Sequence, residues 1–199
     1  MSDRIFSNKC RLRRGRFSSR AELRVLCGAL LVAFWSCSSA CGAGEEPGSL
    51  VPEVVEFSKL LPALPDAPPG WTADKPDGST TDAAEAKVTT VHRDYAKGEG
   101  DNVPTTSISI LDSAANPEYV SATTAAWGNG AESAEGYSKS VTIEENPGFE
   151  IFEQDGKHGT LWLLVAKRYF LQIETRGQPS AELQEWLKRI DLKKLAEIK

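Results

Sequence analysis

Few residues in this chain carry reactive chemistry: four cysteines and two histidines, with carboxylates in adjacent pairs. Cys10, Cys27, Cys37 and Cys41 all lie in the first 41 residues, so the chain beyond them offers no thiol nucleophile, disulfide or thiolate metal ligand. His92 and His158 stand far apart, one in a predicted strand and one in a turn, and neither has a second ligand at metal spacing. A nucleophilic serine needs a Gly-x-Ser-x-Gly elbow, and phosphate cradling needs a Gly-rich turn before a helix. Neither pattern occurs, and Gly98-Glu99-Gly100 reads as hairpin-turn chemistry. Glu144/Glu145 and Glu150/Glu153 have the composition of an acid/base pair. In so acidic a chain they read instead as solvated surface. No catalytic residue, metal ligand or cofactor is therefore expected.

The tryptophans are the remaining candidates. Trp127, Trp162 and Trp186 fall at core positions of their predicted elements, whereas Trp71 stands at the domain entrance beside Pro69 and Gly70. Trp71 is the residue assigned to ligand contact.

Cysteine 41 takes its meaning from its surroundings. Residues 4–24 hold eight Arg or Lys, Val25 to Trp35 is uncharged and apolar, and Ser36 to Gly44 is small apart from two cysteines. That order is the order of an export signal, and the apolar core is short of the roughly 20 residues a spanning helix needs. Ser38-Ser39-Ala40-Cys41-Gly42 resembles the signal of bacterial lipoproteins, with serine where that family carries an aliphatic residue. The resemblance covers the leader alone. It implies cleavage behind Ala40 and lipidation of Cys41. Ordinary cleavage after Ala40 or Ala43, giving a soluble secreted or periplasmic protein, is the alternative. Cys37 suits lipidation less, because bulky Phe34 and Trp35 precede it.

The chain then divides into residues 1–40 as signal peptide, 41–69 as a Pro/Gly/Glu-rich tether with a short helix between Pro52 and Leu61, and 70–199 as one domain. Fifteen of the 23 basic and twenty-six of the 28 acidic residues follow Cys41, which leaves that part at −11. Such a charge argues against nucleic acid and against anionic membrane surfaces as partners of the domain, and solubility alone accounts for it.

Periodicity supplies the domain's elements. Residues 86–96 and 105–111 form a hairpin, and Asn116-Pro117 opens a helix that Gly128-Asn129-Gly130 closes. A strand over 136–144 precedes a three-strand meander over 149–175, whose middle run Thr-Leu-Trp-Leu-Leu-Val suits a strand covered on both faces. Leu183, Trp186, Leu187 and Ile190 form a helical stripe that must be buried. The class is α+β: an antiparallel sheet of five to six strands, with one internal helix and a C-terminal helix packed on one face. This outline is similar to the photosystem extrinsic-protein/Mog1-like group of small domains. The likeness is architectural and implies no activity.

The functional expectation is an exported, lipid-anchored protein of the bacterial cell envelope. Its small non-enzymatic domain binds an envelope protein or a small ligand, and nucleic acid is not a partner. A secreted hydrolase with an acidic site, or a structural accessory of the envelope, are the alternatives.

Overall fold

The computed structural model describes residues 53–83, 86–100 and 102–199. The leader, Cys41 and the first part of the expected tether lie outside the described residues. In chain order the strands are β1 (Thr72–Ala73), β2 (Asp77–Ala83), β3 (Ala86–Ala96), β4 (Thr105–Asp112), β5 (Ala131–Ser133), β6 (Gly136–Ile143), β7 (Asn146–Glu153), β8 (His158–Val165) and β9 (Tyr169–Arg176). The helices are α1 (Phe57–Leu60), α2 (Pro117–Ala125), α3 (Ala181–Leu187) and α4 (Leu192–Glu197). All strands join one antiparallel sheet in the order β1-β3-β4-β9-β8-β7-β6-β5, with β2 also paired to β3.

The class is α+β, but the sheet has nine strands among the described residues rather than five to six. The additions are β1, β2 and β5. Two are very short, and β2 (Asp-Gly-Ser-Thr-Thr-Asp-Ala) has no apolar alternation. Its extended form comes from ladder bonds to β3, which periodicity does not record.

The expectation that the internal and C-terminal helices share a face is also corrected. Chain leaving β4 at the middle of the sheet must cross to β5 and β6 at the far edge, and α2 lies on that crossing. Beneath it Trp127, Phe149, Leu164 and Phe170 form one apolar cluster, with Val120 of α2 packed on it. The opposite face carries the larger core, which includes Val91, Ile108, Leu163, Leu171 and Ile173 and is closed by α1, α3 and α4. Both faces need cover because β8 and β9 alternate apolar with apolar: Leu161, Leu163 and Tyr169 point one way, Leu164 and Phe170 the other.

Leu183, Trp186, Leu187 and Ile190 are all buried, each contributing about 1.5–3 kcal/mol before entropy. Asp191 then ends the stripe. Its carboxylate caps α4 by accepting from the Lys194 backbone N–H at 2.9 Å.

From sequence, residues 53–69 belong to a tether; in the structure they are part of the domain. Val54, Val55, Leu60 and Leu64 are buried against the sheet. A polar latch secures the entry. Asp112, fully buried, accepts from Arg168 Nε at 2.9 Å and Nη2 at 2.7 Å, and from the backbone N–H of Val55 at 2.7 Å. Arg168 Nη2 also donates to the Glu53 carbonyl at 2.9 Å. The described residues form one compact unit, and every member of both apolar clusters lies within it.

Candidate binding cleft

Strict alternation in β4 sets up a polar concavity at one end of the sheet. Thr106, Ile108 and Ile110 point into the core, and Ser107 and Ser109 point out. Register places Ser107 between Asp94 of β3 and Glu174 of β9. At this end of the sheet a cleft of about 390 Å3 is lined by Thr72, Asp74, Asp94, Ser107, Glu174 and Arg176, among others. Asp74 and Asp94 make no ion pair with a described residue. The lining therefore offers carboxylate and hydroxyl acceptors to amines or hydroxyl-rich ligands.

On the core side of the sheet, the face opposite Ser107, lies an aromatic group. Trp71, half-buried, meets Trp186 edge-on with ring centroids 5.0 Å apart, and Tyr95 lies 4.8 Å from the same indole. Gln178 fixes Trp186 in this group: its Nε2 donates to the Thr105 carbonyl at 2.6 Å and to Thr106 Oγ1 at 2.9 Å, and its Oε1 accepts from Trp186 Nε1 at 3.3 Å. Tyr95 donates to the Pro65 carbonyl at 2.7 Å, and burial pushes its phenol up to about 12. Trp71, the residue assigned to ligand contact, thus sits next to the cleft residue Thr72 with one side of its ring committed to Trp186.

The histidines are dispersed. His92 is exposed on β3. His158 is held on β8, with Nε2 3.0 Å from Glu174 Oε1 and Nδ1 3.6 Å from Glu153 Oε2. Partial burial pushes Glu174 up, but hydrogen bonds from Arg176 and His158 outweigh it and hold the carboxyl below its usual range. No serine or threonine hydroxyl bonds to either histidine among the described residues. No group of three or more His, Cys, Asp or Glu among the described residues is placed to hold a metal ion.

The carboxylate pairs separate. Glu144 and Glu145 are the two central residues of the β6–β7 hairpin turn, at φ 48° and 67°. Glu150 corrects the expectation of a solvated surface: it is only 3% exposed. It accepts from Tyr137 Oη at 2.5 Å, from Gln184 Nε2 at 2.9 Å and from Lys139 Nζ at 3.1 Å, and so ties β6 and α3 to β7. Glu153 points to the other face, towards His158. Burial and the Glu150 hydrogen bond raise the Tyr137 phenol above its ordinary value.

Asp74, Asp94 and Ser107 were not singled out from sequence. The alternation of β4 marks Ser107 as outward-facing, but only the pairing of three strands distant in sequence brings the acids beside it. No protein-family model matches the chain. No curated protein and no solved structure matches it either.

Proposed function

We propose that this chain is an exported envelope protein, held at a membrane by lipid on Cys41, whose domain binds a small ligand or partner rather than catalysing a reaction. The observation that carries the reading is the order of the first 44 residues: a basic stretch, a short apolar core, then small residues running into Cys41. The domain's build is consistent with it. The chain after Cys41 has no cysteine, and every buried side-chain polar atom among the described residues has a hydrogen-bond partner. Such a fold depends on no disulfide for its stability. No helix among the described residues is long and apolar enough to cross a membrane, so an anchor of this kind would act through the leader end of the chain. The polar cleft lined by Asp74, Asp94 and Ser107 is the binding site in this reading.

Metabolic labelling with a fatty-acid probe tests it. Wild type and Cys37→Ser incorporate the probe and fractionate with membranes; Cys41→Ser does neither, or accumulates unprocessed. Labelling that survives Cys41→Ser but not Cys37→Ser moves the anchor to the other cysteine. A soluble, unlabelled wild-type protein replaces anchoring with ordinary secretion.

A further inference from the structure

Net charge conceals how the cations of the domain are distributed. Five of the fifteen basic residues after Cys41 fall between Lys188 and Lys199. Three of those, joined by Lys59, converge where α1 meets α4. Lys59, Arg189 and Lys194 line one cleft of about 460 Å3, and Lys59 Nζ donates to the Lys199 carbonyl at 3.1 Å, which brings Lys199 to the same rim. All four side chains are exposed, and none pairs with a side-chain carboxylate of a described residue. The single acid in the lining, Asp191, is engaged in capping α4. The floor between the cations is apolar: Pro62, Leu64, Leu195 and Ile198.

We propose that this basic rim docks the domain on an anionic phospholipid surface, with α1 and α4 facing the bilayer. The inference rests on the anchored reading above and adds the orientation of the domain and the lipid class it meets. Two observations select a membrane as the occupant. First, the rim lies on the element by which the chain enters the domain, since α1 begins four residues after Glu53. Glu53 lies twelve residues after Cys41, a reach of at most about 40 Å, so an anchored domain stays within one domain diameter of the headgroups. Second, exposed lysine and arginine around an apolar floor complement an interface with phosphate outside and acyl chain beneath. The domain's acidic excess does not cancel the attraction. Charges farther than about 8 Å from the surface are screened at physiological salt, so the basic rim attracts anionic headgroups on its own side of the domain whatever the net charge.

The test uses residues 47–199, which hold the whole core and lack both the lipid and the basic leader. Co-sedimentation is measured with phosphatidylglycerol vesicles and with phosphatidylcholine vesicles, at low and high ionic strength. The expected result is binding to phosphatidylglycerol alone, lost at high salt and more than about tenfold weaker in Lys59→Glu/Arg189→Glu/Lys194→Glu. A control with the same change in net charge, Lys75→Glu/Lys97→Glu/Lys157→Glu, keeps wild-type binding. No binding to phosphatidylglycerol, equal binding to both lipids, or equal loss in the control and the patch variant each overturns the proposal. Circular dichroism confirms that both variants are folded. Acylation of Cys41 is read separately by fatty-acid labelling, so an acylated protein whose domain ignores phosphatidylglycerol overturns this inference and leaves the anchored reading standing.

Discussion

Arg168 grips Asp112 with two hydrogen bonds, 2.9 and 2.7 Å long, and Asp112 in turn holds the backbone N–H of Val55. The pair spans 56 residues of sequence and locks the incoming chain onto the sheet. The hydrogen bond to Asp112 raises the Arg168 pKa above its ordinary value, against partial burial. Breaking a buried pair by removing one partner leaves the other charge uncompensated, at about 3–5 kcal/mol. Arg168→Met is therefore expected to lower the urea midpoint substantially and to expose the segment around Lys59 to trypsin before global unfolding. An unchanged midpoint and an unchanged cleavage pattern would show that the latch is not structural.

Trp186 anchors α3 in the large core. Its ring is 2% exposed and touches both Trp71 and Tyr95. Trp186→Ala should cost about 3–5 kcal/mol in denaturant melts. Trp71→Ala, at a half-buried site, should cost clearly less. If the two variants melt alike at the wild-type midpoint, the α3 stripe is not core.

The β6–β7 turn is built from residues poorly suited to it. Glu144 and Glu145 adopt the left-handed φ values of a two-residue hairpin turn, positions that favour Asn-Gly. Replacing Glu144-Glu145 by Asn-Gly should raise stability by about 1 kcal/mol, read as a higher thermal midpoint. A lower midpoint would mean that the glutamates make contacts outweighing the backbone effect.

Much of this was open to sequence, and the reasons differ by element. The β3–β4 hairpin, the meander of β7 to β9 and the stripe of α3 follow from apolar spacing that only one local structure can bury. The edge strands β1, β2 and β5 have no such spacing and exist because a neighbour offers ladder bonds. Pro-rich composition marked residues 53–69 as tether, and four apolar side chains plus Asp112, far along the chain, overrule it. Glu150 looked like surface because its partners Tyr137, Lys139 and Gln184 lie on other elements. The cleft acids share that difficulty: their proximity is a property of the register, not of any local pattern.

Glu174 and Tyr95 each make the stability of the fold depend on pH. Glu174 has its folded pKa held below the ordinary 4.5, so it contributes stability that is present above that value and lost as pH falls through the folded pKa. Tyr95 is the reverse case. Its folded pKa of about 12 lies above the ordinary 10.0, so its contribution is complete below pH 10 and disappears as pH rises towards 12. In stability-versus-pH profiles Glu174→Gln should flatten the acid limb and Tyr95→Phe the alkaline limb. Limbs that coincide with wild type would assign those transitions to other groups.

The most direct test of the central claim is the intact mass of the protein recovered from the membrane fraction of a bacterial host expressing the full chain. The expected species is a polypeptide beginning at Cys41 and heavier than its sequence by a diacylglyceryl group, with or without a further acyl chain. A polypeptide of unmodified mass beginning after Ala40 or Ala43 in the soluble fraction, or one still beginning at Met1 in the cytosol, would contradict it.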